Sequence, residues 1–375
     1  MTSTWPVLSR EDVIAFQFSS WFSTFSFLSI KSTVIPLADD FRSYLEADGV
    51  FVPTGSENLP PKSTLEDDRD HDCDSDDEVA SSAVRYAFPV LDSQIRATIN
   101  EYGGAVFPKL NFSSPKDAAW ILPSSSPPLR CTSPAEVYML LKASDFAVHD
   151  LSAESVIEGC VDNDGDDDRD RGTTTRGGGG STGGAEEGYK LELVLRKWFA
   201  IDPSREMRAF VRDGVLIGIS QRDANYYEFL NEPETQCTIV SSFVAYWTAH
   251  VKPKWTGPAS YTLDVLLTRD LTRFHIIDFN PYAPRTDALL FTYDELATLF
   301  VAATTPLSSS PAPTLRVIDS RAHPAATRNA PQHQHNMVPL EALALSEGRT
   351  VEELSTMWMD QIRRGAVESD DDGEE

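Results

Sequence analysis

Residues 261–286 read YTLDVLLTRDLTRFHIIDFNPYAPRT, in which two apolar runs are separated by a short polar break. The runs at 262–267 and 273–279 are rich in Leu, Ile, Val and Phe, and the break at 269–272 has the composition of a turn. Two such runs around a turn predict a β-hairpin.

Each strand of this predicted hairpin carries one carboxylate, Asp264 in the first and Asp278 in the second. Asn280 follows Asp278 by two residues, and alternate residues of a strand share one face. Asp264 faces Asp278 if the hairpin loop holds an odd number of residues or if the pair contains a bulge. Three oxygen donors would then meet near one strand end.

Two carboxylates at that separation repel each other unless a cation lies between them. Mg²⁺ takes oxygen ligands and completes its shell with water or phosphate. The candidate Mg²⁺ ligands are therefore Asp264, Asp278 and Asn280. The alternative is that both carboxylates are exposed on their strands and that Asn280 and Pro281 form an ordinary turn.

A second stretch, 190–210, reads KLELVLRKWFAIDPSREMRAF and predicts a strand at 191–195 that ends in RKWF. Two cations beside a large aromatic side chain suit a stacked base with phosphates close by. Taken alone this pattern is ambiguous, since lysine and tryptophan on a strand edge also protect the edge from further pairing.

Lys109 ends a third predicted strand, 105–110, and precedes a loop of small and polar residues. A lysine in this position can hold a phosphate, and the loop amides can add hydrogen-bond donors. The Walker A spacing GxxxxGK(S/T) is absent, so this is not a P-loop.

Several long motifs are specific enough to indicate a family. They are LVLRKW, GISQRD, YTLDV, IIDFNP and TDALLFT, with FSSWF and IKSTVIPL near the N-terminus and FPKLNFSSPKDAAWI between these groups. Together they resemble the D123 (cell division cycle protein 123) family over 11–299, apart from two insertions.

This resemblance implies an α+β, ATP-grasp-like fold of two lobes with ATP and Mg²⁺ bound between them. It also implies an assembly factor for the eukaryotic translation initiation factor 2 complex that binds the gamma subunit and so promotes translation initiation and cell-cycle progression. Lys109 and Arg196 would contact phosphates, Glu206 the ribose or adenine, and Arg222 a phosphate. The full ATP-binding set implied is Lys109, Asn111, Ser114, Arg196, Lys197, Trp198, Phe199, Glu206, Arg222, Asp264, Asp278 and Asn280, with residues 197–199 lining the adenine mainly through their backbone.

The same fold leaves other functions open, because a fold does not fix a function. ATP-grasp enzymes are mostly carboxylate–amine ligases that form an acyl phosphate, and such a ligase is the alternative to an ATP-binding chaperone. No acceptor pocket is identifiable in the sequence. A scaffold with a vestigial site is a third hypothesis, against which the complete set of oxygen ligands and lysine argues.

The net charge of −26 is concentrated in three acidic runs at 66–78, 162–170 and 368–375, which together contribute −19. The remaining sequence is only mildly acidic and has no basic cluster, so a nucleic-acid partner is not expected. The four cysteines form no CxxC pair, which disfavours a zinc site. Without a signal-peptide pattern or a long apolar run, we expect a cytoplasmic monomer with no membrane contact.

The 375 residues allow two lobes with separate cores. The predicted organisation is 1–53, N-terminal part of the first lobe; 54–82, acidic disordered insertion; 83–160, first lobe; 161–188, Gly/Asp-rich flexible insertion; 189–303, second lobe with the metal site; 304–338, Pro/Ser/His-rich loop; 339–365, helical segment; and 366–375, acidic tail. The aromatic segment 16–27 is either core or a partner-binding edge. The apolar set in 339–364 either fills a partner's groove or caps its own lobe.

Overall fold

The computed structural model describes residues 5–57, 86–122, 127–161, 189–305 and 312–325. Helices and two separate β-sheets occur together, so the predicted α+β class is confirmed. The predicted segments 54–82, 161–188, 339–365 and 366–375 lie wholly or largely outside the described residues.

The helices and strands follow one another along the chain without a repeating pattern. The helices are α1 Arg10–Ile14, α2 Phe18–Phe25, α3 Asp39–Glu46, α4 Pro89–Glu101, α5 Pro134–Lys142, α6 Asp145–His149, α7 Ala153–Ile157, α8 Pro233–Tyr246 and α9 Tyr293–Thr304. The strands are β1 Ser32–Pro36, β2 Val106–Lys109, β3 Glu192–Lys197, β4 Glu206–Arg212, β5 Val215–Gln221, β6 Tyr261–Leu267, β7 Phe274–Pro281 and β8 Thr314–Arg316.

The first lobe is a three-stranded antiparallel sheet in the order β1-β3-β2, with α3, α4 and α5 packed around it. Helix α5 begins as the sequence predicts, because the Ser133 side chain accepts the Glu136 amide and Pro134 occupies the first turn. Phe41, Tyr138 and their neighbours fill the core, with ring centroids 5.4 Å apart for that pair.

The second lobe is a five-stranded sheet in the order β7-β6-β4-β5-β8, antiparallel except for β8, which runs parallel to β5. Strand β4 has two faces, because alternate residues of a strand point to opposite sides. One face is apolar and buried, with Met207, Ala209 and Val211, and the other carries Glu206, Arg208, Phe210 and Arg212. One face of the sheet packs against α8, where the Phe243 and Phe274 ring centroids are 5.2 Å apart. The opposite face carries the polar side chains of β4 and also a second apolar cluster, formed by Phe210, Ile217, Tyr282, Phe291 and Leu296.

The hairpin predicted from 261–286 is confirmed as β6 and β7. A bulge between Asp264 and Val265 shifts the register and makes Asp264 the cross-strand partner of Asp278. This is the bulged form of the two geometries that allow the carboxylates to face each other.

The N-terminal aromatic segment packs against the second lobe, whereas the sequence assigned 1–53 to the first. Trp21 and Phe25 of α2 contact Phe279 of β7, with ring centroids 5.2 and 5.4 Å away. Their face of α2 needs a large apolar surface to cover it, and the bulky aromatics of β7 provide one. The chain crosses to the first lobe only at β1.

Three local elements differ from the sequence prediction. Residues 50–53 form no strand, Trp120 and Ile121 lie in a 3-10 turn rather than a strand, and 224–230 is mostly loop. The segment predicted as loop, 304–338, contributes β8, which pairs in parallel with β5. Arg316 of β8 also forms a salt bridge with Glu295 of α9 at 2.8 Å. None of the helices within the described ranges is long and apolar enough to cross a membrane.

Candidate functional site

A row of polar side chains crosses the second sheet on the face opposite its core. Asp278 pairs in register with Asp264, Asp264 with Arg208, and Arg208 with Ser220. Directly opposed residues of neighbouring strands point to the same face and lie within contact distance. The two carboxylates predicted to meet are thus brought together, with an arginine as the next member of the row.

Asp264 is held by a bidentate salt bridge. Its carboxylate accepts hydrogen bonds from Arg208 Nε at 2.7 Å and Nη2 at 2.8 Å, and Arg222 Nε lies 3.5 Å away. Burial raises the pKa of Asp264, but the charge of Arg208 outweighs this and lowers the pKa to about 2. Asp264 is therefore ionised, and its remaining lone pairs are still able to accept.

Asp278 is paired with a lysine from the other lobe. Lys109 Nζ lies 2.5 Å from Asp278 Oδ2, and the lysine side chain is 1% exposed against 17% for the aspartate. Because Lys109 ends β2 and Asp278 lies on β7, this ion pair joins the two sheets across the cleft. It was not part of the sequence prediction, which assigned the two residues separately to phosphate and to metal.

Asn280 lies on the same strand face as Asp278 and is opposed by Thr262. Thr262 is fully buried, and its hydroxyl has no hydrogen-bond partner among the described residues. A buried hydroxyl without a partner is costly unless water or a ligand satisfies it. No group of three His, Cys, Asp or Glu side chains that could hold a metal occurs within the described part of the chain.

Arg196 and Lys109 both lie close to the ring of Phe18. The guanidinium of Arg196 lies 5.4 Å and the ammonium of Lys109 5.3 Å from the ring centroid of Phe18. Arg196 is 4% exposed and donates to the Ile277 carbonyl at 2.9 Å, while its Nε has no hydrogen-bond partner among the residues that the structure describes. Burial lowers the pKa of Arg196 to about 10, and Asp278 and Glu206 partly oppose this.

These side chains belong to one charged cluster, which consists of Lys109, Lys116, Arg196, Arg208, Arg222, Glu206, Asp264 and Asp278. The sequence prediction missed two of its members, Lys116 and Arg208. Lys116 lies in the loop after β2, and desolvation of its ammonium, followed by the charge of Arg222, lowers its pKa to about 8. Arg222 itself pairs with Glu206 at 2.8 Å. Arg208 was detectable, since alternation places it on the same face of a strand as Glu206.

The loop after β2 uses its amides within the protein rather than leaving them for a phosphate. The buried Asp150 carboxylate accepts hydrogen bonds from the amides of Phe112 and Ser113 and from the Ser113 hydroxyl, each at 2.8 Å. The predicted role of the loop amides as phosphate donors is therefore wrong for these two residues, because an internal carboxylate already occupies them. Asp150 instead fixes the loop that carries Lys116.

Asn111 and Ser114 flank these two residues. The Asn111 side chain is buried, donates to the Lys190 carbonyl and accepts the Glu192 amide, both at 2.7 Å. The structure thus places Asn111 as a link between the loop and β3, not with the charged cluster. Ser114 is half-buried in the same loop, and its assignment to ATP stays a prediction.

Replacing Asp150 by Ala is expected to lower the free energy of unfolding by about 3 kcal/mol, because three part-buried donors lose their acceptor. Denaturant unfolding of the full chain measures the change. Asp145→Ala, an exposed acid in the first turn of α6, is the matched control and should change stability by less than about 0.5 kcal/mol. Equal stability of the two variants would show that Asp150 does not fix the loop.

The end of β3 carries Lys197, and the segment that follows it carries Trp198 and Phe199 and connects the two sheets. The amides of Lys197 and Trp198 donate to the carbonyls of Lys31 and Ala105, at 2.8 and 3.3 Å. The Phe199 ring is half exposed and lies 5.4 Å from the Lys197 ammonium. These residues lie at the junction of the lobes, and their contact with adenine stays a prediction.

Comparisons with known proteins cover most of the chain. A family model described as D123 matches residues 21–346. A protein of Sclerotinia sclerotiorum named translation initiation factor eIF2 assembly protein is 34% identical over 358 residues, which are 95% of this chain and 76% of that protein. The protein of the same name from Schizosaccharomyces pombe is 34% identical over 94% of this chain and 97% of its own length.

One solved structure extends the similarity to the fold. A C-terminally truncated Cdc123 from Schizosaccharomyces pombe aligns with a TM-score of 0.60 and 32% identity, covering 84% of this chain and all of that chain. The similarity therefore spans both lobes and is not confined to the motifs of the hairpin.

Proposed function

The chain belongs to the D123 family, and from that premise we propose that it binds ATP with Mg²⁺ between its lobes and acts as an assembly factor for eukaryotic translation initiation factor 2. The observation that carries the ATP proposal is the charged cluster on the facing surfaces of the two sheets. The assembly-factor part of the proposal is supported by the relatives of this chain, which are named as assembly proteins for translation initiation factor 2.

The charge of the cluster suits a polyphosphate. Among the described residues it contains five cations and three carboxylates, which leaves a positive surplus. Cations in a partly desolvated cleft bind phosphate oxygens more strongly than they would in water. The cations are Lys109, Lys116, Arg196, Arg208 and Arg222, and the carboxylates are Glu206, Asp264 and Asp278.

The donor set fits a hard divalent cation. Asp278 and Asn280 supply oxygen ligands from one strand face, and Asp264 retains free lone pairs. The Thr262 hydroxyl adds a further oxygen, which has no hydrogen-bond partner among the described residues. Asp278, Asn280 and Asp264 would hold Mg²⁺, which would neutralise part of the phosphate charge. Arg208 would keep Asp264 ionised and in place for that contact, while Arg196, Lys116 and Arg222 would bind the phosphates.

The proposal extends to the partner and to the use of ATP. The gamma subunit is the part of translation initiation factor 2 that we propose as the direct partner, and ATP supports this binding without serving as an acyl donor. Within the described residues, polar contacts such as Lys109 to Asp278 and Arg196 to the Ile277 carbonyl join the lobes across the cleft. A nucleotide bound across the cleft would fix their relative position and so the surface offered to the partner.

A binding experiment with the purified gamma subunit tests this function. We expect the full chain to bind it about tenfold more tightly with ATP and Mg²⁺ than with EDTA, which is an ordinary coupling between two sites. A non-hydrolysable ATP analogue should act like ATP. Failure to bind the gamma subunit under any condition, together with ADP formation on addition of an amine and a carboxylate substrate, would instead support a ligase.

A further inference from the structure

The Lys109–Asp278 ion pair occupies the carboxylate that a metal ion would need. At 2.5 Å the ammonium lies against Asp278 Oδ2, and Lys109 is almost completely buried. The ammonium also lies 5.3 Å from the ring centroid of Phe18, which offers no formal negative charge. A buried ammonium without a counter-ion is strongly disfavoured, so Lys109 holds Asp278 firmly.

The second carboxylate offers no easy substitute for Asp278. Both Asp264 oxygens accept from Arg208, and Arg208 in turn donates to the Asp287 carbonyl at 2.7 Å. Arg208 is buried, and its guanidinium is held by hydrogen bonds to both Asp264 and the Asp287 carbonyl, so it stays beside Asp264 when a metal ion approaches. Each acid of the row thus has its own protein cation. Arg208 stays with Asp264, whose remaining lone pairs are left for the metal, and Lys109 is the cation that has to leave its carboxylate.

We propose that Lys109 acts as a guard that excludes the free metal ion and admits it only as the metal–nucleotide complex. This rests on the proposed ATP function. The phosphates supply a new counter-charge for the ammonium, so Lys109 can move from Asp278 to a phosphate oxygen while the metal takes the released carboxylate. Metal and nucleotide therefore bind together. The phosphate pairs with the ammonium of Lys109, and the metal pairs with the carboxylate that Lys109 has left.

The net charge of the cleft supports the same order of events. A free divalent cation adds charge to a cluster that already has a positive surplus, which the field of the cluster opposes. The metal–nucleotide complex is anionic overall and matches that surplus. Lys109 is in this account a specificity-determining residue that selects the form of the ligand.

Binding of Mn²⁺, followed by the electron paramagnetic resonance signal of the free ion, tests the guard without any nucleotide. We expect the wild-type chain to bind Mn²⁺ weakly alone and much more tightly with ATP. Lys109→Met keeps an unbranched apolar chain but removes the charge, and should bind Mn²⁺ alone about tenfold or more tighter than wild type. The same variant should bind the metal–ATP complex more weakly, because one phosphate contact is lost.

Lys31→Met is the matched control, since Lys31 also forms a lysine–carboxylate pair, with Glu101 at 2.6 Å, but on the exposed surface. It should leave both Mn²⁺ affinities unchanged. Equal Mn²⁺ affinity of wild type with and without ATP would overturn the guard, and this arm requires no variant to fold. An unchanged Mn²⁺ affinity in folded Lys109→Met would also overturn it.

The two hypotheses fail in different ways in this experiment. If wild type binds neither ATP nor its metal complex, the ATP function is wrong, whatever Mn²⁺ does alone. If wild type binds the metal–ATP complex tightly but also binds free Mn²⁺ equally well, the ATP function stands and the guard is wrong.

Discussion

Asp264→Ala is expected to lower the free energy of unfolding by about 3–5 kcal/mol, one of the largest effects of any single substitution in the second lobe. The substitution leaves the buried guanidinium of Arg208 without its bidentate partner. Glu101→Ala removes one partner of an exposed pair and should cost no more than about 1 kcal/mol. Denaturant unfolding of both variants and the wild type gives the comparison.

The double variant Asp264→Leu with Arg208→Met separates the charge from the packing. Replacing a whole buried ion pair by apolar side chains is often nearly neutral, so this chain should recover most of the stability lost in Asp264→Ala. If Asp264→Ala is as stable as the wild type, Asp264 does not anchor the sheet.

The pH dependence of stability provides an independent check on the same residue. The pKa of Asp264 is about 2 in the folded protein against an ordinary value of 3.8. A lowered folded pKa means that the ionised carboxylate stabilises the fold above pH 4 and that this contribution is lost as the pH falls towards 2. The stability gap between wild type and Asp264→Asn should therefore shrink over that range and stay constant from pH 5 to 7.

Asp278→Asn is expected to lower the affinity for ATP in Mg²⁺ by about 100-fold, with little effect in EDTA. The amide is a poorer metal ligand than the carboxylate, whereas the phosphate-binding cations remain in place. Calorimetric titration of the folded variant measures both affinities. Asp270→Asn, an exposed acid in the loop of the same hairpin, is the matched control and should bind ATP like wild type.

Substitution of Asp278 should mainly weaken ATP binding, whereas substitution of Asp264 should mainly lower the stability of the fold. Asp278 is partly exposed and faces the cleft, while Asp264 is buried within the row. An unchanged ATP affinity of Asp278→Asn in Mg²⁺ would remove Asp278 from the metal site and with it the basis of the metal proposal.

The hairpin and the position of both carboxylates were predictable from local sequence, because period-two alternation and turn composition are short-range signals. The sequence predicted that Asp264 faces Asp278 only if the hairpin contained a bulge or an odd loop. It could not decide between the possible registers, because strand register depends on which face is packed. The salt bridge of Asp264 with Arg208 was not predicted. Its partner lies on a strand 56 residues earlier in the chain, and single-sequence periodicity carries no information about that pairing.

Long-range packing explains the other differences. The aromatic face of α2 was recognisable as apolar, but the sequence could not say that Phe279 of the other lobe would cover it. Lys116 was visible in the loop after Lys109, yet its place in the cluster depends on Asp150, which fixes the loop from a separate part of the chain. Charged side chains that find their partners through the tertiary fold are the part of a site that local patterns miss.

Calorimetric titration of the full chain with ATP, in Mg²⁺ and in EDTA, tests whether the cleft is an Mg²⁺-dependent ATP site. We expect a single saturable site in Mg²⁺ and a strongly reduced affinity in EDTA, because a metal held by Asp278 would neutralise part of the phosphate charge. No saturable binding of ATP in Mg²⁺, or the same affinity in EDTA as in Mg²⁺, would contradict it.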